Sequence, residues 1–249
     1  LPAAERVIRD NLPREEIDSG PEARALGAEL TLELAMYARN RGQLDEADQL
    51  ARRALNAFDA IYGDESSQSA QAANTLATIA QARGDPAART LFERSLGIKR
   101  RVYGEDSPRV AGAEYNLGLL LLLRADAAAE ALEHLRRAVE IGTKTLPATH
   151  STLANFRLGL GAALRDLGRN DDAQAQLALA LRSFEAIAAP RGVDVALTRG
   201  EIACSTLAQA PGSRVARGAL AQALVVLREH APDDPQTARI ERCAVGIEP

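Results

Sequence analysis

A chain of 249 residues that is 46% hydrophobic has ample material for a buried core, yet aromatic residues make up only 3% of it. Alanine and leucine dominate, which favours helices in close contact and argues against a strand-rich fold. A formal net charge of −4, from 30 basic and 34 acidic residues, leaves no electrostatic footprint for nucleic acid or an anionic membrane.

In chain order, residues 2–11 read as the end of a preceding helix, followed by a connector to residue 21. Five stretches then share a register: "LELAMYARNRGQLDEADQLARRAL", "ANTLATIAQARGDPAARTLFERSL", "YNLGLLLLLRADAAAEALEHLRRAV", "RLGLGAALRDLGRNDDAQAQLALAL" and "GEIACSTLAQAPGSRVARGALAQAL". Each breaks in the middle, at Arg41-Gly42, Arg83-Gly84-Asp85-Pro86, Arg124-Ala125-Asp126, Gly168-Arg169-Asn170-Asp171 and Ala210-Pro211-Gly212. Gly, Asn, Asp and Pro end one helix and cap the next, so each stretch is predicted to be two antiparallel helices. Punctuation recurs between stretches at "YGDESS", "YGEDSP", "LPATHS", "APRG" and "APDDP". Residues 235–247 read as a final helix covering the exposed end of the stack.

Two anchors hold the register. An apolar residue followed by a small one recurs at Leu34-Ala35, Leu76-Ala77, Leu117-Gly118, Leu160-Gly161 and Ala203-Cys204, spaced by 42, 41, 43 and 43 residues. A second small residue recurs at Ala54, Ser95, Ala138, Ala180 and Ala223, spaced by 41, 43, 42 and 43. Small residues are needed where two helices approach closely. Leu117-Gly118, Leu121, Ala131 and Ala138 resemble the L-G-x2-Y…A…A order of the tetratricopeptide repeat, with leucine in place of tyrosine. The period exceeds the family's usual 34 residues. With "EADQLARRAL" followed by "YGDES", it is more similar to the kinesin-light-chain-like variety. The resemblance implies an all-α, right-handed α-solenoid of repeats at 22–64, 65–106, 107–149, 150–190 and 191–233, closed by a capping helix at 234–249, as one continuous domain.

Gly159-x-Gly161 within "RLGLGAALRDLG" has part of a dinucleotide-binding fingerprint but lacks the preceding strand, the third glycine and the βαβ unit. In the shared register Gly161 stands where Ala35, Ala77 and Gly118 stand, so the stretch is predicted to be helix. "IGTKT" lacks phosphate-loop spacing. His134, His150 and His230 fall at unrelated phases and read as surface or capping residues. Asp171-Asp172 and Asp233-Asp234 fall at helix starts, where a carboxylate offsets unpaired N–H groups. No catalytic set, cofactor site or metal site is assembled, and a non-enzymatic chain is expected. Cys204 and Cys243 form no CxxC pair and read as reduced structural thiols in a reducing compartment, hence a cytoplasmic protein. The leucines at 119–123 are far too short a run to span a bilayer. The opening residues do not read as a signal peptide, and none is expected. With Leu1 first and Met36 the sole methionine, the sequence is read as an excerpt of a longer, bacterial-looking polypeptide.

The family resemblance implies a groove lined by the first helix of each repeat, at positions two before, two after and five after the anchor. These are Leu32, Met36 and Arg39; Asn74, Thr78 and Gln81; Tyr115, Leu119 and Leu122; Leu158, Ala162 and Arg165; and Glu201, Ser205 and Ala208. From these the candidate partner-binding set is Met36, Arg39, Asn74, Thr78, Gln81, Tyr115, Leu119, Leu122, Leu158, Arg165 and Glu201, with Asn116 and Asn155 as further polar groups. Such a groove suits an extended peptide or an amphipathic partner helix. "YNLGLLLLL" carries more leucines than one buried stripe needs, which marks either a partner surface or packing between neighbouring first helices. The lysine–asparagine clamp of the family's chaperone-binding members is not present. Arrays resembling this one often follow signalling domains. Self-association and a peptide or small-molecule sensor are the alternative readings; nucleic-acid binding and membrane insertion are not expected.

Overall fold

The computed structural model describes residues 20–124, 127–187 and 192–245. The predicted preceding helix at 2–11, the Ala125-Asp126 break and most of the "APRG" punctuation lie outside the described residues. Eleven helices occur among those described: α1 (Pro21–Asn40), α2 (Leu44–Tyr62), α3 (Ser67–Ala82), α4 (Ala87–Tyr103), α5 (Pro108–Leu122), α6 (Ala128–Thr145), α7 (Ser151–Asp166), α8 (Asn170–Ile187), α9 (Val193–Gln209), α10 (Arg214–His230) and α11 (Pro235–Val245). The chain divides into two compact units, Leu1–Ala113 and Glu114–Pro249, and the division falls inside α5.

Helices pack in hairpin pairs, α1 on α2 and α3 on α4 in the first unit, α7 on α8 and α9 on α10 in the second. First helices of neighbouring hairpins also touch, α1 with α3 and α7 with α9, and α11 packs on α9 and α10. The two kinds of helix differ accordingly. On α2 the buried residues are Ala47, Ala51, Ala54, Leu55 and Phe58, a single stripe at helical spacing. On α7 every residue from Leu158 to Leu164 is buried, because this helix is covered on several sides.

Three of the mid-hairpin turns are one motif repeated. Gly42, Gly84 and Gly168 adopt φ values of 73°, 69° and 72°, a left-handed conformation that glycine enters without a Cβ penalty. At each, the N–H one residue further on donates back to a carbonyl of the last helical turn: Gln43 to Ala38 at 2.9 Å, Asp85 to Ala80 at 2.8 Å and Arg169 to Leu164 at 2.9 Å. These bonds satisfy carbonyls that the helix end leaves open. Short polar side chains cap the starts of α3, α4, α10 and α11: Ser66 Oγ accepts from Ser69 N at 3.1 Å, Asp85 Oδ1 from Ala87 N at 2.8 Å, Ser213 Oγ from Ala216 N at 3.3 Å and Asp234 Oδ1 from Gln236 N at 2.7 Å.

The opening anchor is a helix–helix contact. A Cβ on Gly161 would lie 2.5 Å from Leu177 Cγ, and one on Gly118 2.7 Å from Leu135 Cγ. Gly159 also sits within α7, where a Cβ would meet Leu135 at 2.9 Å and Tyr115 at 3.1 Å. The paired glycines of "RLGLG" therefore admit leucine side chains, and no phosphate loop exists there.

One expectation is overturned. Cys204 and Cys243 are not free thiols: they form a disulfide with their Cα atoms 6.1 Å apart, tying α9 to α11. Both residues are remote in sequence, 39 positions apart, and the missing CxxC spacing carried no information about a pairing made by tertiary packing. The compositional argument for a reducing compartment falls with it.

Candidate functional site

In the first unit the candidate residues lie on α1 and α3. Met36, Arg39, Asn74, Thr78 and Gln81 are all half-buried. Arg39 reaches from α1 to α3, its Nη1 donating to Thr78 Oγ1 at 3.0 Å, while Nε and Nη2 donate to Asn40 Oδ1. The Thr78 hydroxyl in turn donates a hydrogen bond to Thr75 O at 2.8 Å. This unit thus brings Arg39 and Thr78 together, with the arginine bridging two first helices.

In the second unit the candidates lie on α5, α7 and α9. Tyr115, Asn116, Leu119 and Asn155 are half-buried. The Tyr115 ring packs on Phe156 with centroids 5.1 Å apart, and Leu119 lies over Gly159. The surplus leucines of α5 are therefore partly consumed by packing between first helices. Burial, with the charges of Asp194 and Asp234 adding, pushes the Tyr115 hydroxyl well above the usual tyrosine range. Burial and then Asp234 push the Asp194 carboxyl up as well. Leu122 and Leu158 are only 6% and 1% exposed and act as walls rather than free surface.

Arg165 and Glu201 are brought together. Glu201 is 3% exposed, and its Oε2 lies 3.0 Å from Arg165 Nε. The N–H is not well aligned with the oxygen, and neither atom has another hydrogen-bond partner; the contact is coulombic. Arg165 Nη2 also donates to Asp166 Oδ1 at 3.0 Å.

Two residues of this cluster were not singled out in the sequence. Arg239, on α11 and 5% exposed, donates from Nη1 to Leu122 O at 3.2 Å and from Nη2 to Asp166 Oδ2 at 2.9 Å. Glu201 Oε1 lies 3.9 Å from Arg239 Nη2. The only clue was an arginine beside Ile240 in the helix expected to cover the stack. Beside the cluster is a cavity of about 590 Å3, lined by Leu122, Leu123 and Ala128 and by Arg124, Arg165, Asp166, Arg239, Arg242 and Cys243.

The histidines divide. His134 Nδ1 lies 2.7 Å from Oε2 of the buried Glu114, whereas His150 caps α7 by accepting from Thr152 N at 3.1 Å. Among the described residues, no group of three His, Cys, Asp or Glu side chains could hold a metal ion, and no helix is long and apolar enough to cross a membrane.

Paired helices repeated with small residues at each contact define a helical-hairpin repeat protein, a scaffold type in which neighbouring units supply each other's core. The chain carries tetratricopeptide repeats in its first part: two models of that repeat match residues 28–67 and 69–144. No curated protein sequence matches it significantly. Among solved structures, it is similar to the nearly identical TPR-like repeats of a kinesin-light-chain-type protein of Podosopora anserina. The identity there is 20% and the TM-score 0.66, over 81% of this chain and 96% of that one. BtubC (BKLC) from P. vanneervenii gives a TM-score of 0.67 at 18% identity, over 100% of this chain and 92% of that one. A Rap protein complexed with competence and sporulation factor gives 0.62 at 12% identity, over 99% and 79%. At these identities the likeness is one of fold. Scaffolds of this kind are typically non-catalytic and generally serve protein–protein interaction.

Proposed function

We propose that this chain is a non-enzymatic interaction module that binds an extended peptide or a partner helix on the first-helix faces of its units, as one part of a larger signalling polypeptide. The observation that carries the reading is the state of the register positions. Met36, Arg39, Asn74, Thr78, Gln81, Tyr115, Asn116 and Leu119 are neither fully buried nor fully solvated. Partly exposed apolar groups interleaved with amide, hydroxyl and guanidinium groups suit a ligand whose backbone needs hydrogen bonds and whose side chains need burial. The five-repeat division at 22–64, 65–106, 107–149, 150–190 and 191–233 belongs to the same proposal. So does a cytoplasmic setting, in which the Cys204–Cys243 disulfide would be a redox-responsive bond rather than a permanent one.

The test is quantitative capture of partners from the source lysate by the wild type, by Met36→Glu/Arg39→Ala/Gln81→Ala and by Asn116→Ala/Leu119→Ala, with folding checked by circular dichroism. Loss of the same partners from both variants supports recognition by the first-helix face. Undiminished capture by both overturns it. A mass that rises with concentration in sedimentation, and falls in the variants, favours self-assembly instead.

A further inference from the structure

Part of the first-helix face in the second unit already has an occupant. Arg239 of α11 is buried against groups from three first helices: the Leu122 carbonyl at the end of α5, the Asp166 carboxylate at the end of α7 and the Glu201 carboxylate within α9. A carbonyl at a helix C-terminus carries partial negative charge, so together with two carboxylates it forms a receptor for a guanidinium, whose planar fork of donors fits several acceptors at once. Removing a guanidinium from water is unfavourable unless such acceptors replace the water. The apolar half of the contact is equally close: a Cβ on Gly200 would lie 3.0 Å from Ile240 Cγ2, so the glycine lets α11 lie against α9.

Two covalent restraints hold α11 there, one on each side of Arg239. The connector of residues 231–234 ties its start to α10, and the Cys204–Cys243 disulfide ties its end to α9. Cys204 is buried, whereas Cys243 is partly exposed and lines the cavity of about 590 Å3 beside Arg165, Asp166 and Arg239. The more exposed cysteine of the pair therefore borders the cluster.

We propose that α11 is a resident ligand of the recognition face and that the Cys204–Cys243 disulfide is its latch, so that reduction by a dithiol lets an arginine-bearing helix of a partner replace it. The proposal rests on the reading of the first-helix face as the recognition surface. In the reduction, one thiolate of the dithiol attacks the Cys243 sulfur, and Cys204 departs as a thiolate and takes up a proton. The second thiol then closes on the mixed disulfide and releases Cys243 as a thiol. Two electrons and two protons end on the cysteines, and the dithiol becomes a disulfide. The short connector keeps α11 at high effective concentration after reduction, so the helix becomes displaceable rather than lost.

The experiment uses the whole chain, oxidised and after dithiothreitol, and a fluorescent peptide of residues 233–245 carrying Cys243→Ser as the arginine-bearing probe. Amide hydrogen exchange in α11 is expected to quicken by about tenfold or more on reduction, with α7 and α9 little changed. Peptide binding, read by anisotropy, is expected to be at least about tenfold tighter to the reduced protein, and to be lost with the peptide's Arg239→Gln or the protein's Asp166→Asn/Glu201→Gln. Full-chain Cys243→Ser should bind like the reduced wild type without any reductant. Equal protection of α11 in both redox states overturns the latch, as does joint opening of α9, α10 and α11, which would make the disulfide a plain staple. An opened α11 with no peptide binding overturns arginine recognition. Partner capture that depends on Met36, Arg39 and Gln81 but not on redox state leaves the general interaction reading standing and this one overturned.

Discussion

The two units solve the same packing problem with different side chains. In the first unit the close-contact anchors are Ala35 and Ala77, and the second helix of the first hairpin presents Ala47, Ala51 and Ala54, all fully buried. In the second unit the anchors are Gly118 and Gly161, and the facing residues are Leu135 and Leu177. At the register position of Leu135 and Leu177 the first hairpin holds Ala51, so there both helices contribute a methyl group, whereas the glycine hairpins place the bulk on one helix. The buried polar groups differ too. The first unit buries hydroxyls that close on carbonyls, as Ser95 does on Ala70 O at 2.7 Å. The second buries hydroxyls as well, at Ser183, Thr198, Ser205 and Thr237, but adds the charged Glu114, Glu201 and Arg239. Hydroxyl-to-carbonyl contacts are self-contained, whereas buried charges require partners, and those partners bring distant helices together.

The largest effect separating the units is expected from Glu201→Ala. It leaves the buried Arg239 and the half-buried Arg165 with one carboxylate fewer and should cost about 3 kcal/mol of stability, measured by urea unfolding followed by circular dichroism. The matched change in the first unit, Ser95→Ala, should cost only about 1 kcal/mol. Equal losses would erase the distinction between a charged and a hydroxyl interior.

Gly161→Ala comes next, at about 1–3 kcal/mol, because the new methyl would overlap Leu177 Cγ and nothing nearby can move far. The sharper form is a double-mutant cycle. Gly161→Ala combined with Leu177→Ala recreates the alanine-rich contact of the first hairpin, and the pair should be less destabilised than the sum of the singles. Strict additivity would show that the two residues do not compensate each other.

A smaller, pH-dependent effect belongs to the first unit. Burial, with the positive charge of Arg109 adding, pulls the Lys99 ammonium down from 10.5 to about 8. Between those values the unfolded chain binds more protons than the folded one, so stability should rise with pH through that window. Lys99→Met should remove the slope and raise stability at pH 7 by on the order of 1 kcal/mol. An unchanged slope would mean that Lys99 does not titrate abnormally. The smallest effect is expected at Arg101, whose 2.7 Å ion pair with Glu65 is exposed on both sides; Arg101→Ala should change stability by less than about 0.5 kcal/mol.

The helices and their punctuation were legible because they are made locally. Gly84 followed by Asp85 writes both the end of α3 and the cap of α4 within a few residues, and each bond it forms spans at most five positions. The helical nature of "RLGLG" was legible for a related reason: comparison with Ala35 and Ala77 showed a contact point, which a single glycine pair could not. The candidate face was legible only as a set of positions. Which of them are walls, as Leu122 and Leu158 are, depends on how neighbouring first helices press together.

The sequence by itself determined the hairpins, their period and the small residues at each helix contact, since these follow from side-chain size, helical phase and capping chemistry within one repeat. Tertiary structure alone decided that Arg239 reaches Leu122 and Asp166, 117 and 73 residues away, and that Cys204 pairs with Cys243. Those partners meet because α11 folds back onto α9, a placement set by the summed packing of many helices and carried by no local signal in the sequence.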